Sequence, residues 1–233
     1  MIERLDQAPP RTVARIAGIL YLLDILTSLL GDSLARRTRV VPGNAAATAA
    51  SILAHAALLR LGVAANLFAT ACYAAVTVLF YALFKVVKRS LAQPVMFTSL
   101  TALAIWTSAS LCELAATLVP PGGDASGPRA EHQGLMLLEW NAHASDLGLA
   151  VFGAYCLLIG YLIVKSTFLP RVLGILMTLG GIGLLTYLSP SLARDLYPYN
   201  AAPALVAETS LMLWLLVKGV NVQQRKRWAS AAR

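Results

Sequence analysis

Charge is what this chain has least of: 13% of its 233 residues are charged and 58% are hydrophobic. A soluble domain cannot hide that much apolar side chain, which excludes the ordinary globular enzyme classes and leaves an integral membrane protein. Cysteine is also sparse. Cys72, Cys112 and Cys156 lie inside apolar runs with no Cys-x-x-Cys spacing, which argues against a disulfide framework and makes them small packing residues. No serine sits in Gly-x-Ser-x-Gly, and no His-Glu-x-x-His occurs, so the standard hydrolase and zinc-enzyme motifs are missing. Gly180-Gly181-x-Gly183 has neither a preceding strand nor a lysine, so it reads as a site of close helix packing and not as a phosphate loop. The formal charge of +8 gives no nucleic-acid face, because the basic residues fall in short segments between apolar runs.

What the chain has in abundance is long apolar runs. They cover about residues 13–30, 61–84, 95–119, 135–164, 172–188 and 204–220, each near or above the roughly 17–25 residues that cross about 30 Å of hydrocarbon. The expected fold is an all-α integral membrane protein: a bundle of six transmembrane helices forming one membrane domain over 13–220. A cytoplasmic tail precedes it at 1–12, and a basic cytoplasmic tail follows at 221–233. The first run is too long for a signal peptide, carries Asp24 and lacks a small-x-small cleavage site. Gly148, Gly153 and Gly160 in the fourth run, with the glycines of the fifth, favour close helix contact.

Orientation follows from the basic residues. With both termini cytoplasmic, thirteen of the nineteen fall inside and six outside, the expected bias toward positive charge on the inner side. The long first outer connection contains Val41-Pro42-Gly43-Asn44, a turn with Asn44 placed to cap an alanine-rich stretch. That stretch, 45–59, is expected as a short interfacial helix between helices one and two, because it is short for a span and carries a polar stripe of Asn44, Thr48, Ser51 and His55. Were it to span, the chain would have seven helices and an outside N-terminus with the same charge count, so length is the discriminator.

Five of the eleven carboxylates, Asp24, Glu113, Glu139, Asp146 and Glu208, stand inside these runs. Each costs roughly 2.5–3.5 kcal/mol in hydrocarbon on insertion scales, so such groups face a wet or mutually compensated interior and mark function by default. Counted along their helices, they converge with Arg60, Asn66 and His143 toward the outer leaflet, which points to one outward-facing acidic pocket. Polar seams at helical spacing run through four helices, Tyr21-Asp24-Ser28 and Asn66-Thr70-Tyr73-Thr77 among them. Glu139, His143 and Asp146 share a helical face, and two carboxylates with an imidazole suit a divalent metal or a proton relay.

Three functional classes remain. The pocket can bind or transport a cation, proton or small polar solute, with the lipid bilayer as the surrounding partner. The Glu139–His143–Asp146 face can serve an intramembrane metal-dependent hydrolase. The seams can also be interhelical glue, at about 0.6–2 kcal/mol per hydrogen bond, in a structural or regulatory subunit.

Several motifs carry a resemblance: Ala14-Arg15-Ile16-Ala17-Gly18-x-Leu20-Tyr21, Val41-Pro42-Gly43-Asn44, Arg60-Leu61-Gly62, Phe168-Leu169-Pro170-Arg171-Val172-Leu173-Gly174, Glu208-x-Ser210 and Trp214 to Asn221. From about Thr12 to Asn221 the chain resembles the bacterial membrane family catalogued as domain of unknown function 4386. The resemblance implies a multi-pass bacterial membrane protein and an acid commonly placed where this chain has Asn66. It supplies no substrate.

Overall fold

A computed structural model describes residues 9–35, 45–118 and 128–231. Among these the chain is helical throughout: α1 Pro10–Ala35, α2 Ala45–Ala54, α3 Ala56–Phe84, α4 Arg89–Ala116, α5 Pro128–Lys165, α6 Arg171–Leu185, α7 Pro190–Leu196, α8 Ala202–Val217 and α9 Val222–Ala231. Five are long and apolar enough to cross a membrane: α1, α3, α4, α5 from His132, and α6 with the 3-10 turn that ends at Leu188. Where the sixth span is expected stands α8, a shorter apolar helix of 16 residues.

The apolar faces point both ways. On α6, Leu173, Gly174, Met177, Gly180, Gly181 and Leu184 are buried, while Val172, Ile175, Leu179 and Ile182 on the opposite side are exposed. A helix in water turns a polar face outward. One that is greasy on both faces is suited to lipid on the side its neighbours leave open, which is the pattern of a membrane protein.

Helix boundaries depart from the sequence expectation at four places. The interfacial helix expected over 45–59 stops at Ala54, and residues 56–59 belong to α3. The imidazole Nδ1 of His55 lies 3.0 Å from the Ser51 carbonyl oxygen at this break. Nor is α2 simply a polar-striped surface helix, because Ile52 packs with Leu59 and Ala116 in a buried cluster. Arg60, expected in the outer connection, therefore lies one turn inside α3. Helix α4 starts six residues before the expected Val95, with Pro94 held in its second turn, where a missing N–H forfeits a single helical bond. Helix α5 starts at Pro128, a residue preorganised for a first helical turn, and at 38 residues it is about 57 Å long, well beyond a bilayer core. The 221–233 tail is largely the helix α9. The expected Asn44 cap and the loop around Ser126 lie outside the described residues.

The chain forms two compact units. Unit 1 comprises Met1–Leu22, Cys72–Leu103 and Asp146–Arg233; unit 2 comprises Leu23–Ala71 and Ala104–Ser145.

In unit 1, α5 and α6 run antiparallel in glycine contact. A Cβ on Gly153 would meet the Gly181 carbonyl oxygen at 2.9 Å, and one on Gly181 would meet the Gly153 oxygen at 2.7 Å. The pair Gly160 and Gly174 repeats this at 2.7 and 2.6 Å, seven residues along each helix. Helix α6 packs on α8 through Gly180, where a Cβ would come within 2.6 Å of the Ala204 Cα. Hydrogen bonds from Asn200 Nδ2 to Thr186 Oγ1 (3.0 Å) and to the Ala193 carbonyl (3.2 Å) fix the turn between α6 and α8.

In unit 2, α1 meets α3 at Gly31 and Gly62, and the Asn66 amide fills the notch left by the missing Gly31 side chain.

Candidate functional site

Polar side chains in unit 1 meet one another inside the bundle. Tyr21, Tyr73 and Tyr155, from α1, α3 and α5, are all buried. The Tyr73 hydroxyl lies 3.4 Å from that of Tyr21 and 3.4 Å from that of Tyr155, making a line of three phenols. Their rings pack edge to face, with centroids 5.1 Å apart for Tyr21 and Tyr73 and 6.2 Å for Tyr73 and Tyr155. Glu208 of α8 is within electrostatic reach of all three hydroxyls and of the Cys156 thiol, and its Oε1 is fully buried. Phe152 and Phe80 wall the cluster.

The four groups share a depth. Tyr21, Tyr73, Tyr155 and Glu208 lie nine to eleven residues from Pro10, Phe84, Lys165 and Val217 respectively, at one end of their helices. At 1.5 Å per residue this is about 14–17 Å, half of a hydrocarbon core about 30 Å thick. Contacts between them show that these helix ends belong together: Gly219 approaches Arg11, the Phe84 and Phe168 rings lie 5.4 Å apart, and the Asn221 N–H donates to the Phe168 carbonyl at 3.1 Å. The cluster thus gathers an ionisable carboxyl and three hydroxyl groups at a similar distance from one end of their helices.

Polar side chains in unit 2 mostly end on backbone carbonyls. Asn141 Nδ2 donates to the Ala109 carbonyl at 2.9 Å, Trp106 Nε1 to that of Ser145 at 3.3 Å, and the Arg60 guanidinium to Thr117 Oγ1 and the Thr117 carbonyl at 3.3 and 3.4 Å. Glu113 is buried, with a second acid, Asp32, in electrostatic reach. Asn66 Oδ1 is buried with no hydrogen-bond partner among the described residues.

The eight residues singled out from the sequence are divided between the two units. Asp24, Arg60, Asn66, Glu113, Glu139 and His143 belong to unit 2, and Asp146 and Glu208 to unit 1. Glu139 and His143 are exposed. Asp146 is half-buried, with Tyr187 in electrostatic reach, and Asp24 is half-buried. No group of three His, Cys, Asp or Glu side chains that could hold a metal ion occurs among the described residues, so Glu139, His143 and Asp146 are not assembled into one.

Sequence reasoning missed Tyr155 and Cys156, which lie off the Glu139–Asp146 stripe. Depth was the available signal, because Tyr155 stands as far from Lys165 as Tyr73 does from Phe84, to within a residue.

No curated protein and no solved structure matches the chain. The model of the family described as "Domain of unknown function (DUF4386)" matches residues 16–219, and the chain belongs to that family.

Proposed function

We propose that this is a six-span protein of the bacterial cytoplasmic membrane, with both termini inside and α8 as the sixth span, and that Glu208 and its three tyrosines take up a proton, a cation or a small polar solute. The thirteen-to-six distribution of basic residues supports the orientation. The 16 residues of α8 reach about 24 Å, and Lys218 follows directly at the headgroup level of this topology.

One observation carries the binding role. A carboxylate in the middle of an apolar helix lies within electrostatic reach of three buried phenols whose hydroxyls meet one another instead of backbone carbonyls. Phenylalanine would fill the same volume without the cost of desolvating hydroxyls. Phenols donate to a carboxylate and accept from an incoming proton donor, and their oxygens ligate a cation, so the cluster is chemically versatile where packing alone needs no polarity.

The test is a thermal-shift screen of the detergent-purified protein over pH, alkali and divalent cations and small polar solutes, followed by flux measurements in vesicles. Selective stabilisation reports binding to the folded state. Glu208→Gln keeps the shape of the side chain, so the variant is expected to fold and to lose the selective response. A response identical to wild type under every condition would overturn the proposal.

A further inference from the structure

The end of unit 1 where α8 stops carries positive charge alone among its described residues. No Asp or Glu occurs in 9–22, 72–103, 147–193 or 209–231, whereas Arg11, Arg89, Lys165, Arg171, Lys218 and Arg227 are all exposed there. The helix α9 is folded across this end. Gly219, at φ +68, turns the chain out of α8, its N–H donating back to the Trp214 carbonyl at 3.0 Å. Asn221 Oδ1 then caps α9 by accepting from the Gln224 N–H at 3.2 Å.

Two side chains one turn apart latch the helix down. Arg225 donates to the Ala82 carbonyl in the last turn of α3 at 2.9 Å, where the negative end of that helix favours a cation. Trp228 Nε1 donates to Thr167 Oγ1 at 3.0 Å. This face of α9 is spent on the protein, and the other presents Gln223, Arg227 and Ser230 outward.

We infer that this end is a binding face for anionic phospholipid headgroups, with α9 as its platform. Charge complementarity calls for a polyanion, and continuity with the spans selects a lipid one. Arg171, Lys218 and Lys165 directly adjoin the exposed apolar side chains Val172, Val217 and Tyr161, so the cations sit where acyl chains give way to phosphates. The Lys165 ammonium also lies 5.7 Å from the Tyr161 ring centroid, an aromatic and a cation paired at this boundary. A basic excess in loops needs only to orient a chain. A helix capped by Asn221 and tied to Ala82 and Thr167 holds its charge in a fixed place, which a topological signal does not require.

The test compares the full chain in detergent with added phosphatidylglycerol, phosphatidylcholine or inorganic phosphate, read by melting temperature and by lipids retained in native mass spectrometry. Phosphatidylglycerol is expected to raise the melting temperature and to be retained over phosphatidylcholine. The double variant Arg227→Gln/Lys218→Gln, altered only at exposed positions, should melt like wild type without lipid and bind phosphatidylglycerol about fivefold more weakly per removed charge. Arg227→Lys should keep the response. Equal effects of the two lipids, an undiminished response in the double variant, or an equal shift with inorganic phosphate would each overturn the assignment. The outcome does not depend on Glu208, so a failure here leaves the mid-depth site standing.

Discussion

The tyrosine cluster of unit 1 and the interhelical contacts of unit 2 use polar side chains in opposite ways. In unit 2, Trp106 and Asn141 each end on a backbone carbonyl of a neighbouring helix and Arg60 on the Thr117 carbonyl just past the end of α4, contacts whose geometry is set once the helices have packed. In unit 1, the hydroxyls of Tyr21, Tyr73 and Tyr155 meet one another within electrostatic reach of Glu208, among apolar neighbours. A hydroxyl can exchange partners by rotating about one bond, whereas a helix carbonyl is already held by its own ladder. The first arrangement holds helices together. The second leaves groups that can respond to a proton, an ion or a solute.

Breaking the frame around the tyrosines should have the largest effect. A Cβ at Gly160 would stand 2.7 Å from the Gly174 carbonyl and 2.6 Å from Thr178 Oγ1, so Gly160→Val forces α5 and α6 apart. Overpacking of this kind costs typically 1–3 kcal/mol and more against backbone, so about 3 kcal/mol or outright loss of folded protein is expected in a size-exclusion and melting assay. A Gly160→Val protein as stable as wild type would show that the glycine contacts of α5 and α6 are not needed.

A second pair of variants sharpens the contrast itself. Glu208→Gln should abolish ligand-selective stabilisation, whereas Glu113→Gln in unit 2 should leave it intact, both read in the same thermal-shift screen. The reverse result would move the site to Glu113 and Asp32. Single Tyr73→Phe and Asn141→Ala changes should each cost about 0.6–1.5 kcal/mol of stability, and only the tyrosine change should couple to Glu208→Gln in a double-mutant cycle. The smallest effect is expected on topology: reporters fused after Arg89 and at the C-terminus should both be cytoplasmic, and one near Ser126 external. A cytoplasmic reporter at Ser126 would reverse the orientation.

Much of the frame was legible before any fold was known. Long apolar runs report their own length against a bilayer, so α1, α3, α4, α5 and α6 appear close to where hydropathy placed them. Glycines at 153 and 160 with those of the fifth run were readable as close contacts because a missing Cβ permits approach whatever the partner. Boundaries were less legible. Polar residues beyond Leu135 hid the first turns of α5, and the break at His55 depends on a local side-chain contact more than on composition.

The candidate site was only half visible. Tyr21, Tyr73 and Glu208 stood out as polar groups in apolar runs, but helical spacing grouped Glu208 with distant acids and passed over Tyr155. Periodicity tells which residues share a face on one helix; it carries no information on which faces of different helices meet.

The sequence by itself determined that the chain is helical, too apolar for water, punctuated by basic segments, and marked by acids inside its long runs. Those properties are sums over local residues. Only the tertiary structure decided that Glu208 comes within electrostatic reach of three tyrosines, that Asn66 fills the notch at Gly31, and that the basic tail is a helix tied to Ala82 and Thr167. The rotation of each helix about its axis is fixed by the fit of glycine notches and bulky side chains between neighbours, and that fit depends on residues far apart in the chain.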